Sequence, residues 1–345
     1  MTFSPEDTKY MRRALALARA GAGHVSPNPM VGAVITASDG RIIGEGWHRR
    51  FGGPHAEVNA VRSVADADRA LFPQSTIYVT LEPCSHYGKT PPCAKLLVEC
   101  GFRRVVVAAG DPNPQVAGRG IAMLRQAGIE VDEGLLADES RSLNAAFHTA
   151  HILHRPFITL KWAMSADGFM DCDRAADGRP AKFSTPLTQT LVHARRAVHD
   201  AIAVGARTAL ADNPRLDTRL FAGPSPRPVV FDHRGIASEA PLLADPRRTI
   251  YISQSTPLEE TLRSLYREEG ITSLLVEGGA SLLNSFIQSG LWDEAYVEVS
   301  PHPLGSSGRV PAPAIGTIPC TVEKIGSNTI STYRSEACAA RFGKR

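Results

Sequence analysis

Apolar runs of strand length alternate along this chain with runs that recur at helical spacing. VGAVIT (31–36), TIYVTL (76–81), RRVVVAAG (103–110) and the short IEV (129–131) read as strands. HAEVNAVRSV (55–64), CAKLLVEC (93–100) and the stretch near IAMLRQAG (121–128) read as helices. An N-terminal helix takes Ser4 as cap and Pro5 as its first helical residue, with Met11, Leu15 and Ala18 on one face. Such alternation predicts a sheet with helices on its faces. A further helix, ESRSLNAAFHTAHILH (139–154), places Leu143, Ala146, Phe147 and Ala150 together and stops at Arg155-Pro156. The pattern restarts with FITLKWAM (157–164), which predicts a domain boundary near residue 150 and domains of 1–150 and 151–345.

The second half alternates as well. Strands are predicted at 201–205, 228–232, 249–253, 273–279 and 295–299, and helices at 184–198 and near 258–270. Ser184 or Thr185 caps the first of these helices, and GPSPRP and PHPLGSSGRVPAP read as loops.

Composition narrows the classes. A chain of 345 residues fits two domains, and 43% hydrophobic with 21% charged residues is ordinary for a globular protein. A net charge of +3 without a basic run does not suggest a nucleic-acid partner. No apolar stretch reaches the roughly 18 residues that span a bilayer. MRRALALARAGA imitates a signal peptide, but Glu6 and Asp7 precede it and Arg19 interrupts it, so a cytoplasmic location is expected. Six cysteines in so large a chain do not make a disulfide framework; clustered ones in a reducing compartment more often bind metal.

GGPHAEVNAV (52–61) holds His55 and Glu57 two apart, a spacing that points side chains in different directions on a helix. LEPCSHYGKTPPC (81–93) adds Cys84 at a strand end and Cys93 at a helix start. One imidazole and two thiolates form a zinc set, and three protein ligands leave one position open. His55, Cys84 and Cys93 are therefore the expected ligands. Glu57, not itself a ligand, is the expected catalytic proton carrier. A closed structural site with His86 as fourth ligand is the competing reading, and so is a zinc-stabilised module without turnover. In the second half, VEGGASLLNSF (276–286) reads strand, Gly-Gly, helix, which suits a phosphate, although it is not the G-x-G-x-x-G fingerprint.

His-x-Glu with Pro-Cys resembles the cytidine-deaminase-like zinc deaminases, with eight residues between the cysteines in place of two. PNPMVGAV (27–34), GEGWHRRFGGPHAEV (44–58), TLEPCSHYGKTPPC (80–93) and DPNPQVAGRG (111–120) together resemble the bifunctional deaminase–reductase family of riboflavin biosynthesis. LKWAMSADG (160–168), ARTALADNPRLDTR (206–219) and LLVEGGASLLNSFIQSGLWDE (274–294) resemble its dihydrofolate-reductase-like domain. The resemblance implies a cytidine-deaminase-like α/β/α domain followed by a dihydrofolate-reductase-like α/β domain. It also implies zinc and NADPH as cofactors, a phosphorylated pyrimidine as substrate, and an assembly of identical subunits. By motif position it implies that Asn28, His48, His86 and Lys89 line the deaminase pocket, and that Arg196, Leu216, Arg219 and Glu277 meet substrate in the reductase. NADPH is expected against Met164, Thr208, Asp212 and the turn of Gly278, Gly279, Ala280 and Ser281. The family's Ser-x-Trp-Ile stretch reads differently here: Pro180 and Lys182 stand in GRPAKFST (178–185), where an ammonium replaces a stacking surface as a cofactor contact. A deaminase with a weakened or inactive reductase is the alternative this departure leaves open.

Overall fold

The computed structural model describes residues 3–85, 91–114, 116–174, 180–253 and 256–343. The chain divides into two compact units, Met1–Leu153 and His154–Arg345.

The first unit is one five-stranded sheet between two helical layers. Its strands are β1 (Gly32–Thr36), β2 (Ile42–Trp47), β3 (Thr76–Leu81), β4 (Arg104–Ala109) and β5 (Glu130–Glu133), in the order β2-β1-β3-β4-β5. The β1 edges pair antiparallel, whereas β3-β4-β5 run parallel. The helices are α1 (Pro5–Arg19), α2 (Ala56–Ser63), α3 (Cys93–Cys100), α4 (Arg119–Gln126), α5 (Ala137–Leu143) and α6 (Ala145–Leu153). Side-chain alternation along the strands sorts the two cores. Val34, Tyr78, Val106 and Ala108 pack with Met11, Ala14 and Leu15 of α1. Ala33, Ile35, Ile77, Val79, Val105 and Val107 pack with Ala60, Leu97 and Leu124 of α2, α3 and α4.

The sequence pattern does not predict β2, IIGEGW, because glycines weaken a strand. The packing shows why they are there: a Cβ on Gly46 would lie 2.3 Å from the Ala60 amide nitrogen, so α2 seats directly on bare backbone. The helix predicted over 139–154 is interrupted at Asn144. Its side chain accepts from the Met30 amide at 2.7 Å and donates to the Met30 carbonyl at 2.9 Å.

A buried ion cluster ties α1 to the sheet. Asp7 closes the capping box with Ser4, accepts from Arg104 at 2.7 Å and from the Tyr78 hydroxyl at 2.8 Å, while Arg104 also pairs with Asp132 at 2.6 Å. Burial alone would raise the Asp7 carboxyl, but the Arg104, Ser4 and Tyr78 hydrogen bonds outweigh it and hold it at about 2. The folded state therefore binds a proton less readily than the unfolded one, so Asp7 stabilises fully above about pH 4 and loses this as pH falls towards 2. Replacing Asp7 with asparagine should cost about 2 kcal/mol at pH 7 and flatten the acid limb of stability against pH, measured by urea unfolding.

The second unit is built on an eight-stranded sheet. Its elements in chain order are β6 (Phe157–Met164), β7 (Phe169–Cys172), α7 (Pro186–Arg196), β8 (Ala201–Gly205), α8 (Ala206–Asp212), β9 (Arg227–Phe231), β10 (Ile250–Ile252), α9 (Leu258–Arg267), β11 (Ser273–Val276), α10 (Ala280–Ser289), β12 (Glu294–Val299), β13 (Gly308–Pro311), β14 (Thr321–Ile325), β15 (Asn328–Arg334) and α11 (Glu336–Phe342). The order is β10-β9-β8-β11-β6-β12-β15-β14, parallel as far as β12 and antiparallel beyond, with β13 and β7 as a separate pair. Ala203, Phe231, Leu274 and Val276 face Leu262 and Phe286 of α9 and α10, and Ile202, Val204, Val230 and Leu275 face Ala209 of α8. The segment predicted as a loop, PHPLGSSGRVPAP, contains β13, and β14 exposes Val322, Glu323 and Lys324 in a row, which gives no apolar alternation to read. No helix among the described residues is long and apolar enough to cross a membrane.

Candidate functional site

Three separate elements of the first unit converge on one point. His55 is the residue before α2, Cys93 is the first residue of α3, and Cys84 follows the end of β3. His55 Nδ1 lies 3.3 Å from Cys93 Sγ and 3.6 Å from Cys84 Sγ, and all three donor atoms fall within 4.8 Å of one another. A tetrahedral zinc ion with bonds of ~2.0 Å to nitrogen and ~2.3 Å to sulfur holds such ligands about 3.5 Å apart. The donor set and its spacing thus fit zinc. The Cys93 amide donates to Cys84 Sγ at 3.3 Å. A hydrogen bond from the Cys93 side chain, aided by His55, pulls the Cys84 thiol below its ordinary range despite burial, and the same bond pushes Cys93 up, so of the two sulfurs Cys84 is the one held as thiolate.

The i, i+2 spacing of His55 and Glu57 now has a geometric reason. His55 is outside the helix with extended backbone, φ −70° and ψ 168°, so helical geometry does not separate it from Glu57 on the first turn. Glu57 is 3% exposed and within hydrogen-bond reach of the Cys93 thiol, yet it is not in the ligand set. Burial, with the neighbouring Cys84 charge, pushes its carboxyl up to about 7. A carboxyl of that kind exchanges protons readily near neutrality.

Asn28 and His48 are brought together beside this cluster. His48 is buried, its Nδ1 lies 3.0 Å from the Pro54 carbonyl, and its Nε2 lies 3.2 Å from Asn28 Nδ2. The carbonyl requires the proton on Nδ1, so Nε2 accepts from the Asn28 amide and the Asn28 oxygen faces elsewhere as an acceptor. Desolvation lowers the His48 pKa and keeps the ring neutral. The His48 and His55 rings meet edge to face at 5.4 Å. His86 and Lys89 lie outside the described residues.

Three supporting residues have no signal in the sequence pattern. Glu82 of the Glu-Pro-Cys stretch is 5% exposed and accepts from the Gly118 amide at 3.0 Å and the Gly120 amide at 3.1 Å, clamping the start of α4 against the segment that leads from β3 to Cys84. Gly120 is required there, because a Cβ would lie 1.9 Å from the Pro83 carbonyl oxygen. Asn59 donates to the Trp47 carbonyl at 2.8 Å and the Pro54 carbonyl at 3.2 Å, and Asn144 fixes Met30 next to the loop of Asn28.

The second unit holds a cleft of about 830 Å³ above the ends of β6, β8, β9 and β11. Thr208, Asp212, Glu277, Gly278, Gly279, Ala280 and Ser281 all line it. Gly279 caps α10; the Leu282 and Leu283 amides donate to its carbonyl at 3.0 and 3.2 Å, which leaves the Ala280 and Ser281 amides at the helix start without an acceptor in the helix. This cradle of bare backbone fits a dinucleotide diphosphate. Asp212 is not free: it pairs with Arg174 at 2.6 Å. Met164, at the end of β6, and the exposed Lys182 are not among the lining residues.

The four expected substrate residues of this unit lie together: two ion pairs, Arg196–Glu277 and Arg219–Asp217, meet at Asp217, with Leu216 next to it in the chain. Arg196 bonds Glu277 at 2.6 and 3.1 Å and the Asp217 carbonyl at 3.0 Å. Arg219 pairs with Asp217, and Leu216, 2% exposed, precedes it with φ +50°. Burial alone would raise the Glu277 carboxyl, but Arg196 outweighs it and holds it low.

Fold and sites together define a two-domain enzyme, a zinc-binding cytidine-deaminase-like domain followed by a dihydrofolate-reductase-like reductase domain. Residues 4–109 match the family described as the cytidine and deoxycytidylate deaminase zinc-binding region, and residues 156–332 match the RibD C-terminal domain. The riboflavin biosynthesis protein RibD of Actinobacillus pleuropneumoniae is 37% identical, with 87% of this chain and 85% of that protein covered. The crystal structure of a diaminohydroxyphosphoribosylaminopyrimidine deaminase/5-amino-6-(5-phosphoribosylamino)uracil reductase from Thermotoga maritima superposes with a TM-score of 0.84 at 36% identity, covering 96% of this chain and 99% of that one. Acinetobacter baumannii RibD, form 1, gives a TM-score of 0.83 at 34% identity over 95% and 98% of the two chains. The chain belongs to the RibD family of bifunctional deaminase–reductases of riboflavin biosynthesis, whose cofactors are zinc and NADPH. Both domains are present, which does not favour a deaminase whose reductase has been lost.

Proposed function

We propose that residues 1–150 deaminate 2,5-diamino-6-(5-phosphoribosylamino)pyrimidin-4(3H)-one, and that residues 151–345 then reduce its ribosyl side chain to ribityl with NADPH. The observation that carries the deaminase reading is the tight triad of His55, Cys84 and Cys93 with the buried Glu57 against it but outside the ligand set. Zinc bound there supplies Lewis-acid activation, lowering the pKa of water from ~15.7 towards ~7. Glu57 takes a proton and delivers it to the amine nitrogen that leaves as ammonia. The Asn28 oxygen, turned free by His48, accepts from the pyrimidine edge. His86 and Lys89 hold the phosphate or carbonyl oxygens. In the second unit the Gly278–Ser281 turn and Thr208 hold the cofactor diphosphate, with Asp212 as a further cofactor contact; Met164 and Lys182, which do not line the cleft, are cofactor contacts on the family resemblance alone. Arg196, Leu216, Arg219 and Glu277 hold the substrate. The protein works in the cytoplasm as an assembly of identical subunits, which light scattering on the purified chain tests.

Order of reaction is the direct test of the whole reading. With zinc and the diaminopyrimidine but no NADPH, ammonia is released and the deaminated ribosyl compound accumulates. Adding NADPH then oxidises one cofactor per product. Ammonia release without any NADPH oxidation would remove the reductase half, and NADPH oxidation without ammonia release would remove the deaminase half.

A further inference from the structure

The cleft of the second unit has two unlike arms. Its Gly278-Gly279 turn follows β11, which lies between β8 and β6 in the sheet. On the β8 and β9 side the lining includes Arg207 and Arg234; on the β6 side it includes Trp162, Met170, Phe183 and Val310. If the diphosphate rests on the turn, as in the reading above on which this inference depends, the two ends of the dinucleotide fall into opposite arms. Arginine forks suit the phosphorylated adenosine, and an apolar aromatic wall suits the flat nicotinamide ring.

We propose that Phe183 is the wall on which the nicotinamide ring stacks, and that the buried Glu298 keeps this wall in place as a positioning residue. Residues 180–185 have no regular secondary structure, so a ring there needs tethers to hold a fixed position. It has them on both sides. The Phe183 carbonyl accepts from Asn328 Nδ2 at 2.9 Å, and the next residue, Ser184, donates its hydroxyl to Glu298 Oε2 at 2.6 Å. Asn328 Nδ2 also donates to Glu298 Oε1 at 2.6 Å, which closes the latch. Glu298 is 2% exposed and Asn328 1%, so water does not compete for these bonds. A wall tethered before the cofactor arrives loses little freedom when it binds.

Calorimetric titration of the full-length protein tests this with two ligands, NADP+ and 2′-phospho-ADP-ribose, which lacks the nicotinamide ring. In Phe183→Ala the Kd for NADP+ should rise about tenfold, the loss of one ring-stacking contact, while 2′-phospho-ADP-ribose binds as before. Phe183→Tyr should restore NADP+ binding. Ser184→Ala, which releases one tether and leaves the ring, should weaken NADP+ alone, and it serves as the readout if Phe183→Ala does not fold. Equal weakening of both ligands, or unchanged NADP+ binding, overturns the proposal. A wild-type protein that binds neither ligand overturns the cofactor cleft itself, an outcome distinct from these.

Discussion

Glu57→Gln should lower the turnover for ammonia release by about 10³-fold, within the 10²–10⁴ that proton transfer by a positioned side chain contributes. Glutamine keeps the size of the side chain, and a site that is 3% exposed offers no bulk water to substitute for the lost acid. Because Glu57 is outside the ligand triad, zinc content should stay at wild-type level. Reduction of already deaminated substrate should also continue at the wild-type rate, since the second unit has its own sheet, core and cleft. The ammonia assay, metal analysis and NADPH oxidation, run on one preparation, separate these outcomes. Loss of zinc in the variant would mean that Glu57 holds the metal, and equal loss of both activities would mean that the halves are not independent.

Arg196→Ala carries the second large effect. The guanidinium is the counter-ion of Glu277, and both side chains are nearly buried at 12% and 10% exposure. Removing Arg196 leaves a nearly buried carboxylate without its ion-pair partner, with only the more distant Lys161 and His193 to offset its charge, and breaking such a pair typically costs about 3–5 kcal/mol. The second unit should therefore unfold at markedly lower denaturant, and the reductase KM for substrate should rise, with ammonia release unaffected. The double variant Arg196→Ala/Glu277→Ala should recover part of the stability, because no buried charge remains, but none of the reductase activity. Recovery of activity in the double variant would contradict a substrate role for the pair.

The chemistry of the first unit was legible because it is written in short motifs. His55, Glu57, Cys84 and Cys93 each belong to a local pattern, and strand and helix periodicities placed them at element ends. What holds them was not legible. Glu82, Asn59 and Asn144 act on backbone groups up to 114 residues distant, and a polar side chain that caps a remote loop leaves no periodic trace. In the fold, β2 was hidden by the glycines that let α2 approach, and β14 by its row of exposed residues. Motif position singled out Arg196, Arg219 and Glu277 in the second unit, but not how they pair: Arg196 bonds Glu277, and Arg219 bonds Asp217. Phe183, one residue beyond the departure at Lys182, lines the cleft that Lys182 does not.

Catalysis in the first unit requires a metal held by three protein side chains with room left for chemistry. Zinc K-edge X-ray absorption on the purified full-length protein measures this directly. The spectrum should show two sulfurs, the outer-shell scattering of a single imidazole, and one further light atom that is not part of a ring. A second imidazole in the shell, which His86 would supply, would mean a closed structural site and would contradict the catalytic role given to Glu57.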